Sequence, residues 1–199
     1  MTIKDTIKKY TNKLKLVTHI PAKEVEILML HLLEKNTIWL HLNYNVEFEK
    51  EKELEVLVKK RATNYPLEYI INKASFYGEM FIVKEGVLIP RPETEILVEN
   101  AIEILKDKKE IKVLEIGTGS GIISVMLAML IENIKIIAVD INEKALDLAK
   151  QNAIKHGVEN KIEFRLSNLY ENVQENDIFM TISNPPYIAN NYILPTNVK

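Results

Sequence analysis

Residues 113–121 read Val-Leu-Glu-Ile-Gly-Thr-Gly-Ser-Gly, an apolar stretch that runs directly into a turn containing three glycines. Residues 111–116 have the pattern of a buried strand, and residues 122–130, beyond the turn, have that of a buried helix. Glycine lets the backbone turn sharply and lets a ligand approach without a Cβ in the way, while the first amides of a helix suit a polar ligand. The stretch therefore predicts a ligand-binding turn. The alternative is a tight turn that binds nothing.

The spacing of the three glycines separates classes of ligand. Gly121 follows Gly119 by two positions, whereas the dinucleotide-binding fingerprint places its third glycine three positions after the second. The turn also lacks the lysine that follows a phosphate-binding loop of the P-loop type. A nicotinamide cofactor is therefore disfavoured.

Outward from this turn, strand and helix patterns alternate in the manner of an open parallel sheet. The helical pattern of residues 93–105 precedes the first strand. Beyond the turn the sequence predicts, in order, strand 135–139, helix 144–155 ended by Gly157, strand 162–166 and strand 178–182. The fold class is therefore α/β with a Rossmann-like open sheet.

The first third of the chain has a different pattern, typical of amphipathic helices. Three helices are predicted, from Ile3 to Val17, from Pro21 through Leu33, ending before Asn36, and from Phe48 to Ala62. Apolar residues at 81–83 and 87–89 around Glu85 and Gly86 then favour a β-hairpin. We therefore divide the chain into a helical N-terminal domain (1–75), a hairpin connector (76–90) and an α/β domain (91–199).

Composition excludes several classes of function. The chain of 199 residues has 26 Lys and Arg against 28 Asp and Glu, so its net charge of -2 creates no general attraction to nucleic acid or anionic membrane. It has no cysteine, which excludes disulfides and thiolate metal sites, and no metal-ligand spacing of His, Asp and Glu. No signal peptide or membrane span is recognisable. We expect a cytoplasmic protein without a metal or a membrane partner.

Asp140 ends the second predicted strand of the sheet and is therefore expected beside the glycine turn. Ligands of open α/β sheets bind at the carboxyl ends of the strands. An acidic side chain there can accept hydrogen bonds from both hydroxyls of a ribose. The alternative is a capping role for the helix that follows Asn142.

Ser183-Asn184-Pro185-Pro186-Tyr187 follows the fourth predicted strand and is expected at the same edge of the sheet. Because each proline fixes its own backbone and restricts the residue before it, the Asn184 side chain and the Pro185 carbonyl are held as two rigid acceptors. Two fixed acceptors suit one planar NH2 group, which Tyr187 can cover from one face. Such a site would act by orientation and desolvation more than by proton transfer. A simple proline turn after a strand is the alternative.

Residues 88–95 read Leu-Ile-Pro-Arg-Pro-Glu-Thr-Glu and place Arg91 between two prolines just before a helix. A proline and two acidic residues in the first turn are good capping chemistry. A structural role is therefore as strong an interpretation as a role in binding.

Together these motifs resemble the HemK-type release-factor glutamine methyltransferases, a family of class I methyltransferases that use S-adenosylmethionine. The resemblance rests on residues 66–70 (Pro-Leu-Glu-Tyr-Ile), 86–95, 117–121, 139–140 and 184–188 (Asn-Pro-Pro-Tyr-Ile). It implies methylation of a glutamine side-chain amide in a peptide chain release factor, with the helical domain helping to dock that partner. No direct contact with nucleic acid is expected.

The resemblance also implies roles for individual residues. Those expected to bind the cofactor are Glu115, Gly117, Thr118, Gly119, Ser120, Gly121, Asp140, Asn168, Leu169 and Asn184. Those expected to bind the target glutamine are Arg91, Asn184, Pro185, Pro186 and Tyr187, of which Asn184, Pro185 and Tyr187 would be catalytic.

Two features depart from the family pattern. The family usually has an acidic residue at the position of Asn168, although an asparagine can still accept a hydrogen bond from the adenine amine. Class I methyltransferases usually have seven strands, whereas four are recognisable here, so the α/β domain is expected to be truncated at its C-terminus. Two other interpretations stay open, an amino-methyltransferase acting on adenine N6 or a similar base amine, and a truncated cofactor-binding module without catalysis.

Overall fold

A computed structural model describes residues 1–185, which divide into a helical unit (residues 1–71) and an α/β unit (residues 72–185). Each unit has a hydrophobic core of its own. Pro186 and Tyr187, which the sequence places in the site, lie outside the described residues. The predicted domain limits at 75 and 90 stay predictions.

The helical unit is built from helices whose apolar faces meet in one core. In chain order they are α1 (Ile3–Leu14), α2 (Pro21–Leu33), α3 (Thr37–Leu42), α4 (Glu51–Ala62) and α5 (Leu67–Ile71). Thr2 caps α1 by accepting a hydrogen bond from the Asp5 amide at 3.1 Å, and Pro21 opens α2. The helices predicted at α1, α2 and α4 are confirmed. Helices α3 and α5 were not predicted, because helices of six and five residues are too short to show a periodic pattern.

The core of this unit lies between α1, α2 and α4. Its fully buried side chains include Tyr10, Leu14, Leu28, Met29 and Leu54. At its edge, the guanidinium of Arg61 on α4 donates to the carboxylate of Glu24 on α2 at 2.6 Å, and both side chains are largely buried. This ion pair joins two helices that are far apart in sequence.

A β-hairpin is present, but its strands are not the predicted ones. They are β1 (Lys73–Phe76) and β2 (Glu79–Ile82), paired antiparallel, so the expected pairing of residues 81–83 with 87–89 is wrong. Tyr77 and Gly78 connect them with φ of 53° and 79°. Positive φ at both central residues is the signature of a type I′ turn. Asn-Gly is the usual sequence of such a turn, so Tyr-Gly does not predict one. Residues 87–89 form no strand. Buried Val87 packs in a cluster with Ala145 and Leu148, whereas Leu88 is exposed.

The rest of the α/β unit follows the predicted alternation. Its elements are α6 (Glu93–Leu105), β3 (Ile111–Ile116), α7 (Ile122–Leu130), β4 (Ile134–Asp140), α8 (Glu143–Lys155), a 3₁₀ turn (Glu159–Lys161), β5 (Ile162–Leu166) and β6 (Met180–Ser183). The four strands form a parallel sheet in the order β5-β4-β3-β6. The α/β class and the open parallel sheet are therefore confirmed.

The strand order places a switch in direction beside β3. From β3 the chain adds β4 and β5 on one side, whereas β6 returns to the other side of β3. Ligands of open α/β sheets bind outside the carboxyl ends of the strands at such a switch point. Helix α7, which leaves the end of β3, is buried from Ile122 through Ala128 and belongs to the core. Within residues 1–185, no helix combines the length and the apolar character needed to cross a membrane.

Candidate functional site

The carboxyl ends of the four strands bring most of the predicted site residues that the structure describes to one edge of the sheet. In the register of the sheet Ile116 is paired with Ser183 on one side and with Val139 on the other. The Ser183 hydroxyl donates to the carbonyl oxygen of Ile116 at 2.7 Å. Because neighbouring strands lie about 4.8 Å apart, Gly117 and Asn184, the next residue on each strand, begin two adjacent loops.

The backbone amides of the glycine turn are mostly used within the protein. Those of Gly117 and Thr118 donate to the carbonyl oxygen of Val139 at 2.8 and 3.0 Å, and that of Gly119 donates to Oδ2 of Asp140 at 2.9 Å. The amide of Gly121 donates to Thr118 O at 2.8 Å. These four amides are therefore not available to a ligand. They hold the turn in one conformation against the end of β4 instead.

The glycines of the turn serve different purposes. Gly117 and Gly121 have φ of +72° and +79°, a region that residues with a Cβ rarely adopt. A Cβ on Gly121 would lie 2.8 Å from the Cβ of Ala149, so the absence of a side chain lets α7 pack closely on α8. A Cβ on Gly117 would meet no atom within 4 Å. The space beside Gly117 is therefore open to a ligand.

Glu115 is buried behind the turn. Its Oε2 accepts hydrogen bonds from the Thr118 hydroxyl at 2.8 Å, from the Ser124 amide at 3.1 Å and from the Ser124 hydroxyl. Burial raises the pKa of Glu115 to about 7, against the opposing effect of the hydrogen bonds from Ser124 and Thr118. This carboxyl group ties the turn to the first residues of α7. Direct contact with a cofactor stays a prediction.

Asp140 lies at the end of β4, next to the glycine turn. Its Oδ1 accepts from the Asn142 amide at 2.9 Å, and its Oδ2 accepts from the Gly119 amide. A carboxylate has about four lone-pair positions on its two oxygens. The half-buried Asp140 therefore keeps the capacity to accept hydrogen bonds from two ligand hydroxyls.

The loop after β5 is anchored beside Asp140. The amide of Ser167 donates to the carbonyl oxygen of Asp140 at 3.0 Å. The next residue, Asn168, is exposed, and its Nδ2 donates to Glu171 at 3.0 Å. Leu169 follows with a φ of 51° and a side chain that is 57% exposed. Asn168 and Leu169 thus lie at the same edge as Asp140, and a contact of these two residues with adenine, which the family resemblance implies, stays a prediction.

Asn184 makes a contact that the sequence analysis did not predict. Its Nδ2 donates at 3.0 Å to the hydroxyl of Thr94, a buried residue in the first turn of α6. Thr94 belongs to residues 88–95, and its amide donates to the carbonyl oxygen of Arg91 at 3.0 Å. The Arg91 side chain and Pro185 are exposed. The segment of residues 88–95 therefore contacts Asn184 through Thr94, near its C-terminal end.

A second residue missed from the sequence is Asn152 on α8, which is fully buried. Its Oδ1 accepts from the Ile82 amide at 2.8 Å, and its Nδ2 donates to the carbonyl oxygens of Ile82 and Ser120 at 3.0 and 2.9 Å. One amide thereby joins the hairpin, α8 and the glycine turn. The sequence feature that could have indicated this role is the position of Asn152 on the apolar face of a helix, between Ala149 and Ala153.

The arrangement suits binding and orientation of polar ligands. The carboxylate of Asp140, the open space beside Gly117 and the amide of Asn184 follow one another along the edge of the sheet, at the ends of β4, β3 and β6. In the part of the chain that the structure describes, no cluster of three or more His, Asp or Glu side chains is placed to hold a metal ion.

Comparison with known proteins gives two matches to protein families. The family model for the methyltransferase small domain matches residues 92–196, and that for the PrmC N-terminal domain matches residues 5–71. The two matches cover the α/β unit beyond the hairpin and nearly all of the helical unit.

Similar proteins carry the name release factor glutamine methyltransferase. The one from Dictyoglomus turgidum is 44% identical over 171 residues, which cover 83% of this chain and 60% of the relative. The one from Aquifex aeolicus is 38% identical, covering 89% of this chain and 64% of the relative. The chain thus spans about three fifths of the length of these relatives. The one from Buchnera aphidicola subsp. Baizongia pistaciae is 35% identical over 191 residues, covering 95% of this chain and 68% of the relative.

Motifs, fold and comparisons therefore agree on the same assignment. The match to the methyltransferase small domain spans more than half of the chain, and the Buchnera relative is matched over more than two thirds of its length. The chain belongs to the family of release factor glutamine methyltransferases.

Proposed function

We propose that this chain transfers a methyl group from S-adenosylmethionine to the side-chain amide nitrogen of a glutamine in a peptide chain release factor. The observation that carries the proposal is the pairing of Ile116 with Ser183. This pairing makes the open glycine turn and the Asn184 loop neighbours, so a methyl donor at one and an amide at the other lie within reach of each other.

The residues at the edge fit the proposed cofactor. When bound, S-adenosylmethionine supplies an electrophilic methyl group on a sulfonium. The open side of Gly117 leaves room for a ligand against the backbone, where any Cβ would occupy the space. Asp140 has acceptor capacity left for the two ribose hydroxyls. Asn168 and Leu169, which follow the anchored Ser167, would contact the adenine.

Asn184 and Pro185 would act on the target amide by orienting it. The nitrogen of a carboxamide is a poor nucleophile because its lone pair is delocalised into the carbonyl group. Acceptors at Oδ1 of Asn184 and at the Pro185 carbonyl would hold both hydrogens and favour localisation of that pair towards the methyl group. The nitrogen–methyl bond would form as the methyl–sulfur bond breaks, with S-adenosylhomocysteine as the leaving group and one amide hydrogen lost to water as a proton. Pro186, Tyr187 and Arg91 would complete the binding of the glutamine. Such positioning contributes to rate without requiring a strong general base.

The helical unit would dock the release factor. The match of residues 5–71 to the PrmC N-terminal domain supports this role. On the surface of the unit, the α3 side chains of Ile38 and Leu42 are 71% and 80% exposed, and a cavity of about 490 Å³ is lined in part by Leu42 and Tyr44. Exposed apolar side chains beside a concavity favour a protein partner. Since release factors act with ribosomes, the proposal places the protein in the cytoplasm.

The test is methyl transfer from labelled S-adenosylmethionine to a release factor, with DNA and RNA as parallel substrates. We expect label in the glutamine of the release factor and none in nucleic acid, because the net charge of -2 provides no general attraction to phosphate. Label in nucleic acid alone would show that the amine of a base is the substrate.

The residue-level prediction concerns Asn184→Ala. Loss of one acceptor for the nucleophile should reduce kcat about a hundredfold or more, while calorimetry shows cofactor affinity within about threefold of wild type. Near-normal turnover in this variant would refute the mechanism. Cofactor binding by the wild type without transfer to any substrate would identify the chain as a binding module.

A further inference from the structure

The amide of Asn184 is held by a buried hydroxyl group on a different element. Nδ2 of Asn184 donates to Oγ1 of Thr94 at 3.0 Å, across 90 positions of sequence. We propose that Thr94 is a positioning residue, which holds the Asn184 amide through Nδ2 and so leaves its Oδ1 for the incoming NH2 group. This inference rests on the proposed function and adds to it a residue that acts through Asn184.

The hydroxyl of Thr94 is itself well fixed. Thr94 is 5% exposed and lies in the first turn of α6, where its amide donates to Arg91 O at 3.0 Å. The next residue, Glu95, accepts a hydrogen bond from the amide of Tyr77 in the hairpin turn at 2.7 Å. The start of α6 is thus anchored on both sides of the hydroxyl. Because the position of the Thr94 oxygen is fixed, its hydrogen bond restricts rotation of the Asn184 side chain.

Orientation matters because the two ends of a carboxamide have almost the same shape and opposite hydrogen-bonding character. A half turn about the last side-chain torsion of Asn184 exchanges the oxygen with the NH2 group. With Nδ2 donating to Thr94, Oδ1 lies at the other end, and it accepts no hydrogen bond from residues 1–185. In the reversed orientation, the NH2 group of Asn184 would meet the NH2 group of the substrate, donor against donor.

The loop has a second anchor, which separates orientation from general support. The hydroxyl of Ser183 donates to Ile116 O at 2.7 Å and fixes the end of β6. Removal of the Thr94 hydroxyl therefore leaves the loop attached to the sheet. The expected defect is confined to the orientation of the Asn184 amide.

The test compares Thr94→Val with Thr94→Ser. Valine keeps the branched shape and removes the acceptor, so kcat for a glutamine peptide should fall about tenfold to a hundredfold, with cofactor affinity within about twofold of wild type. Serine keeps the hydroxyl and should restore kcat to within about threefold of wild type. Thr6→Val, which removes a fully buried hydroxyl from α1, is the matched control and should leave kcat unchanged. Equal kcat in Thr94→Val and wild type would overturn the proposal.

A measurement that does not depend on turnover uses the side-chain NH2 protons of Asn184, followed by NMR and assigned from their absence in Asn184→Asp. We expect slow exchange with water in wild type and Thr94→Ser, and fast exchange in Thr94→Val. Fast exchange in wild type would contradict the hydrogen bond and the proposal with it. If the wild type shows slow exchange but methylates no release factor, the proposed function is rejected. The hydrogen bond between Asn184 and Thr94 would still be supported.

Discussion

At the scale of single residues, Gly121 and Gly157 share a backbone conformation and differ in their surroundings. Both have positive φ, +79° and +68°. A Cβ on Gly157 would meet nothing within 4 Å, whereas on Gly121 it would lie 2.8 Å from the Ala149 Cβ and 3.0 Å from its Cα. Backbone atoms cannot move aside as the end of a flexible side chain can. The contact between α7 and α8 therefore depends on Gly121.

We expect Gly121→Ala to reduce the free energy of unfolding by about 2 to 5 kcal/mol, since backbone strain and overpacking add. Gly157→Ala, the matched control, has the strain alone and should lose about 1 to 2 kcal/mol. Urea unfolding of the two variants measures the difference. Equal losses would mean that α8 moves away at no cost, contrary to the close packing.

Glu115 gives the protein a characteristic dependence on pH. Burial raises its pKa from an ordinary 4.5 to about 7, so between these values the folded protein holds a proton that the unfolded chain releases. Stability is then greatest below about pH 4.5 with respect to this group and falls as the pH rises to about 7, by up to about 3 kcal/mol.

The measurement is urea unfolding of wild type and Glu115→Gln at pH 5 and pH 7.5. Glutamine does not ionise, and its carbonyl oxygen can accept the hydrogen bonds from Ser124 and Thr118. We expect wild type to lose more stability than the variant between these two values of pH, since all other titrating groups are common to both. Identical losses would show that Glu115 is ionised in the folded protein throughout.

At the scale of elements, the amide of Asn152 joins three parts of the α/β unit that have no covalent connection nearby. It bonds both backbone groups of Ile82 in β2 and the carbonyl oxygen of Ser120 in the glycine turn. Since these groups are removed from water, the loss of their partner leaves polar atoms unsatisfied. The hairpin and the turn therefore depend on one side chain of α8.

Asn152→Leu has a similar volume and lacks the hydrogen bonds, so it should destabilise the protein by about 2 to 5 kcal/mol. The matched control is Gln151→Leu, at the exposed neighbour that accepts from Lys84 at 2.9 Å. That substitution should change stability by less than about 1 kcal/mol. Urea unfolding compares the two, and similar losses would contradict the structural role of Asn152.

Elements with a strong periodic pattern could be predicted from the sequence almost to the residue, as β3, α6 and α7 show. The hairpin could not, because its Tyr77-Gly78 turn has φ values that the sequence does not announce, and because Val87 is apolar for its packing on α8. Short helices such as α3 could not be predicted either, because they contain too few residues to show a periodic pattern. Local sequence patterns predict helices and strands that have a clear period. Whether a short apolar run forms a strand depends on the residues that it packs against in the folded protein.

At the scale of the whole molecule, the sequence could predict that Gly117, Asp140 and Asn184 share one edge, because each follows a strand of a parallel sheet. It could not predict Thr94 or Asn152, whose partners lie 90 and 70 positions away in the chain. Nor could it predict that Asp140 and Val139 use most of the amides of the turn. These contacts depend on how helices and strands that are distant in sequence pack together. The local spacing of residues does not predict that packing.

The strand order has a consequence for how the protein becomes functional during its synthesis. β3, β4 and β5 leave the ribosome before β6, and the hydrogen bond between Ser183 and Ile116 spans 67 positions. Closing so long a loop is entropically costly and slow compared with local contacts. A nascent chain can therefore form the glycine turn and the end of β4 while it still lacks the Asn184 loop, and the two parts of the proposed site meet only when β6 docks.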